Sequence, residues 1–138
     1  MSAGNAVHSV LAVVAGFIAV VVLSEGIDEL LRLAGVMPPR DTVASSAMLL
    51  VATVYRTVAG VVGGYVAAAL APGNALGHAL VLGVVGLAVS TTGAIVMWGV
   101  GPGWYPIALA ILALPSAWLG GKLKAKRDSA VQEGGGQR

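Results

Sequence analysis

Val51-Ala52-Thr53-Val54-Tyr55-Arg56-Thr57-Val58-Ala59-Gly60 places one arginine in an otherwise uncharged run, and Arg56 is the only charged side chain between Asp41 and Lys122. No charge precedes Glu25 either. A hydrocarbon core about 30 Å thick needs about 20 apolar residues per crossing helix, so a chain of 138 residues holds about four such helices and little else. With 57% hydrophobic and only 10% charged residues, the chain falls well below the roughly 25% charge of soluble domains. A soluble globular domain and a separate catalytic domain are both excluded. The fold class expected is all-α: an integral membrane four-transmembrane-helix bundle in one domain spanning about 1–124.

The helix that carries Arg56 is expected over about 45–71, with Ser45 or Ser46 near its cap and Ala71-Pro72-Gly73-Asn74 as the turn that ends it. Before it, an apolar run from Val7 to Leu23 continues into Ser24-Glu25-Gly26-Ile27-Asp28-Glu29. That run lacks the basic start and small-residue cleavage site of a signal peptide and reads as a retained helix over about 7–34. Met37-Pro38-Pro39-Arg40-Asp41 breaks the chain there, because proline removes a donor and biases its predecessor toward extended backbone. Further helices are expected over about 76–98 and 104–123, separated by Gly99-Val100-Gly101-Pro102-Gly103. Pro115 should kink the last one, and a disordered tail is expected over 125–138.

The basic cluster Lys122, Lys124, Lys126 and Arg127 outnumbers Arg32 and Arg40 of the first loop and places both termini in the cytoplasm. It is a topology signal that also favours anionic lipid, with no nucleic-acid role. Trp98, Trp104 and Tyr105 are then expected at the outer membrane interface and Trp118 at the inner one. Helices in lipid associate through small residues spaced by four. Such residues are Gly60 and Gly64 on the second helix, Gly86 and Ser90 on the third, and Ala113 and Ala117 on the fourth. They serve packing within one bundle or between two copies in a homo-oligomer.

A charge near the membrane middle costs at least about 2.5 to 3.5 kcal/mol, so Arg56 needs compensation. Glu25 on the first helix lies at a depth comparable with Arg56, Asp28 is nearly one turn shallower on the same face, and Glu29 is placed to face the interface or pair with Arg32. The guanidinium stays charged and can satisfy two carboxylate oxygens at once. With Tyr55 and Thr57 beside Arg56, these residues form either a structural ion pair or a polar site for a charged solute or protons. Thr53, Tyr65, Ser90, Thr91 and Thr92 add hydrogen-bonding groups.

No cysteine is present, which excludes disulfides, thiolate metal sites and thiol redox chemistry. His8 and His78 stand at helix starts without companion ligands, so no metal and no cofactor is expected. The 20 glycines lie mainly in apolar helices and lack the Lys-Ser/Thr of a phosphate loop, and no Ser-His-Asp order suggests a hydrolase.

Tyr55-Arg56-Thr57-Val58, Gly63-Gly64-Tyr65, Leu70-Ala71-Pro72, Gly77-His78-Ala79-Leu80, Gly101-Pro102-Gly103-Trp104-Tyr105-Pro106 and Leu114-Pro115-Ser116-Ala117-Trp118-Leu119-Gly120-Gly121, with Ser24 and Asp28, span nearly the whole chain. On them the chain resembles an uncharacterised family of small four-helix bacterial inner-membrane proteins. The resemblance implies a fold and a location without an assigned activity. Glu25 is also an analogue of the membrane-embedded Glu in the first helix of small multidrug-resistance transporters, which lack an Arg-bearing second helix of this type. Two functions follow as expectations: transport or permeation of a small solute at Glu25, Asp28 and Arg56, or a structural or accessory subunit that binds a partner helix or lipid. An enzyme ranks third.

Overall fold

The computed structural model describes residues 3–136. It consists of four helices, α1 (Ala3–Leu33), α2 (Ser46–Leu70), α3 (Ala75–Val96) and α4 (Trp104–Gly136), each long and apolar enough to cross a membrane. Their ends follow local chemistry. The Ser45 hydroxyl accepts from the Met48 amide at 3.4 Å and the Asn74 side chain from the Gly77 amide at 3.3 Å, each satisfying an orphan donor of the first turn. After α1, Gly35 adopts φ 76°, and the Gly35 and Val36 amides turn back to the carbonyls of Arg32 and Leu31 at 3.0 and 2.9 Å. This is a Schellman stop, which needs the left-handed conformation that glycine adopts without strain.

Two boundaries differ from expectation. α1 begins at Ala3, several residues before Val7, since nothing in Ala3-Gly4-Asn5-Ala6 breaks a helix. More consequentially, residues 125–136 are helical, where an irregular tail was expected. A helix already nucleated by its apolar part extends at little cost. Here the extension is reinforced by the Lys124–Asp128 ion pair, by the Ser129 hydroxyl bonding to the Ala125 carbonyl at 3.2 Å, and by Arg127 reaching the Tyr65 hydroxyl at 2.6 Å. Residues 137 and 138 of the expected tail lie outside the described residues. α4 also continues through Pro115, and the Ser116 hydroxyl donates to the Ala113 carbonyl at 3.0 Å.

α2 is the hub, packing against the other three helices; α4 lies on α2 and α3, while α1 lies on α2 and, more lightly, on α3. The buried apolar residues are small, Ala12, Ala52, Ala59, Ala67, Ala68, Ala79 and Ala117, with Leu82 the largest. Close backbone approach therefore takes the place of interlocking large side chains. A Cβ on Gly16 would fall 2.7 Å from the Gly63 carbonyl oxygen, and one on Gly63 would fall 2.8 Å from that of Gly16. Gly64 and Gly120 bring α2 and α4 together equally tightly. α1 and α4, by contrast, make no close backbone contact, and a cavity occupies the space between them.

Candidate functional site

The buried face of α1 is Ala12, Gly16, Ser24 and Asp28, one stripe with spacings of four, eight and four that the sequence alone did not mark out. It aims Asp28 at α2. There the Tyr55 hydroxyl donates to Asp28 Oδ1 and Arg56 Nη2 donates to Asp28 Oδ2, so consecutive residues of α2 satisfy both carboxylate oxygens. Arg56 Nη2 also lies 3.5 Å from Glu25 Oε1. The side chains of Asp28, Arg56 and Glu25 are 11%, 26% and 52% exposed, which orders them by how strongly their charges interact. Asp28 is thus the principal partner and Glu25 the looser one. Nε of Arg56 is buried without a partner among the described residues.

Thr57 lines the adjacent cavity, but its hydroxyl donates to the Thr53 carbonyl at 2.7 Å and is partly spent on its own helix. Thr53 and Thr92 do likewise, at 2.8 Å each, to Leu49 and Ala88. Tyr65 is not near Arg56 at all; it accepts from Arg127. Glu29 accepts from Arg32 at 2.8 Å and Arg40 at 3.0 Å, in a separate exposed cluster that ties the end of α1 to the first loop.

Two cavities meet at this site. The first, about 280 Å³, lies among all four helices and is lined by Ser24, Glu25, Arg56, Thr57, Ser90 and Ser116 on an otherwise apolar wall. The second, about 720 Å³, lies below the loops 34–45 and 97–103, with Asp41, Trp98, Tyr105 and Arg56 among its lining. Arg56, Val89, Ser90 and Leu109 border both. Ser24, Ser116 and Tyr105 were not expected in the site. Ser24 could have been found by the four-residue step to Asp28, whereas nothing local to Ser116 or Tyr105 reveals that α4 turns them inward.

The residues expected at helix contacts fall inside the bundle. Gly60 faces Ser116, Gly64 faces the Ala117 backbone, and a Cβ on Gly86 would touch that of Ala113 at 3.5 Å. Ser90 instead borders the cavities. Among the aromatics, Trp104 and Tyr105 pack edge to face at 6.0 Å, and Trp98 is 68% exposed. Lys122 Nζ stands 4.7 Å from the Trp118 ring centroid. His8 and His78 bond the carbonyls of Gly4 and Asn74 at 2.7 and 2.9 Å.

No family model matches the chain, and no curated protein or solved structure is detectably similar to it.

Proposed function

We propose that the protein is an integral membrane protein of the bacterial inner membrane, with both termini cytoplasmic, that passes a small solute through the site formed by Asp28, Arg56, Glu25 and Tyr55. The observation that carries the reading is that Arg56 borders both cavities while bound to carboxylates of α1. Intramembrane ionisable groups mark solute or proton routes by default. Membrane residence is supported by the outward display of large apolar side chains, such as Val22, Val54, Ile95 and Ile111, on every helix. Patches of that extent need an apolar surrounding. The basic residues Lys122, Lys124, Lys126 and Arg127 support the orientation.

A second reading rests on the complete satisfaction of the Asp28 oxygens by α2: a structural clamp that fixes α1 against α2 in a subunit serving a partner helix or lipid. In either case the small-residue stripes are used within one chain, so a homo-oligomer would form through another face. Arg56→Ala in purified protein separates the two. Loss of solute flux or binding with helical content retained supports the route, and unfolding of the variant with no flux through the wild type supports the clamp.

A further inference from the structure

The two cavities are not equivalent, and the difference lies in what surrounds them. On the side of Arg56 nearer the loops 34–45 and 97–103, α2, α3 and α4 part to hold about 720 Å³. On the opposite side, Gly16 meets Gly63, Gly64 meets Ala117 and Gly120, and Gly121 meets Ala79, with Ala67 and Ala79 wholly buried. Most of these contacts set a glycine against backbone or an alanine Cβ, with Val20, Leu76 and Leu82 the larger side chains among them. The larger cavity therefore adjoins the smaller one along a neck at Arg56, Val89, Ser90 and Leu109, and beyond the smaller cavity the helices lie at their closest.

The charges of the wide end are unequal as well. Arg40 is held by Glu29 at 3.0 Å, and Arg56 is held by Asp28 and Glu25. Asp41, which borders the wide cavity, has no cation within ion-pair distance among the described residues and only the Thr42 hydroxyl at 3.5 Å. At the neck, two carboxylates face one guanidinium. The neck thus carries a net negative charge within low-dielectric walls, which concentrates cations, whereas at the wide end Asp41 is offset by the cation left over where Arg32 and Arg40 share Glu29. Trp98 and Tyr105 supply ring faces of the kind that attract a cation.

We infer that the larger cavity is a vestibule open only on the face of the loops 34–45 and 97–103, and that it gathers small monovalent cations and delivers them to the neck at Arg56. This rests on the solute-route reading and adds the side of access and the sign of the ligand. The sealed end must separate Gly16 from Gly63 or Gly64 from Gly120 before anything leaves by it.

The chain has no native cysteine, so single cysteines report access directly. Ala94→Cys, in the vestibule, and Ser90→Cys, at the neck, are placed in right-side-out and inverted membrane vesicles containing the full-length protein. Each is treated with a membrane-impermeant cationic or anionic methanethiosulfonate. Ala67→Cys serves as the sealed-side control, and every rate is normalised to that of the denatured protein. The expected result is modification of Ala94→Cys and Ser90→Cys from the loop face only, with the cationic reagent favoured about tenfold over the anionic one. Ala67→Cys stays unmodified from both faces. Equal modification from both faces, or no modification of Ala94→Cys until denaturation, overturns the vestibule. A preference for the anionic reagent overturns its cation selectivity. Labelling is read without any flux, so a failure here is distinct from a failure of the Arg56→Ala flux test.

Discussion

Asp28→Asn removes one charge while keeping the side-chain shape and an oxygen that can still accept from Tyr55. Breaking a buried ion pair from one side costs about 3–5 kcal/mol, because the remaining charge is left without compensation. Arg56 is not fully stranded here: its side chain is 26% exposed and Glu25 stays at 3.5 Å. The expected loss is accordingly about 2–3 kcal/mol, below the range for a wholly buried pair. Glu25→Gln should cost only about 0.2–1 kcal/mol, since that carboxylate is 52% exposed and more distant. Asp28→Asn combined with Arg56→Gln should recover most of the single-variant loss, because removing both charges leaves neither uncompensated. Denaturant-detergent unfolding in mixed micelles, followed by far-UV circular dichroism, measures all three against the wild type. A Glu25→Gln loss equal to or greater than that of Asp28→Asn would refute the assignment of Asp28 as the principal partner. An additive double variant would refute direct coupling between Asp28 and Arg56.

The glycines separate by their surroundings. Gly120→Ala sets a Cβ against the α2 backbone, 2.6 Å from the Tyr65 nitrogen, and should destabilise by about 1–3 kcal/mol or more, whereas Gly26→Ala meets nothing within 4 Å. The latter should stabilise by about 0.5–1 kcal/mol through helix propensity, and unfolding of the two variants side by side checks the contrast. Arg127→Ala removes the 2.6 Å link to Tyr65. It should leave global stability nearly unchanged while amide exchange accelerates along residues 128–136. Lys122→Met removes the cation 4.7 Å from the Trp118 ring; a shift in Trp118 emission in a variant lacking Trp98 and Trp104, with a cost of about 0.5–1 kcal/mol, is the expected outcome.

The four helices are legible in the chain because charge is scarce and because Pro38-Pro39, Pro72-Gly73 and Gly101-Pro102-Gly103 interrupt the apolar runs where the loops lie. Arg56 is equally visible, as a charge with nothing similar nearby in sequence. Its ranking of partners is not. Glu25 and Asp28 differ by less than a turn, and only the packing of α1 decides that the face of Gly16 and Ser24, hence Asp28, turns to α2. Tyr105 shows the same limit: an aromatic residue beside a Gly-Pro-Gly loop reads as an interface anchor, yet the entry angle of α4 brings it beside the Arg56 cavity. The helical extension beyond Leu123 was hidden because its composition is polar and glycine-rich at the end. Its support comes partly from Tyr65, distant in sequence.

The most direct test of the solute route uses Asp28→Asn combined with Arg56→Gln, which abolishes the site's ion pair without leaving an unpaired buried charge. Radiolabelled methylammonium and acetate are followed into proteoliposomes of wild type, double variant and no protein. The account predicts methylammonium uptake by the wild type above the protein-free level, a fall to that level in the double variant at unchanged helical content, and acetate uptake by neither above the protein-free level. Equal methylammonium uptake by wild type and double variant, whether above the protein-free level or at it, would contradict it.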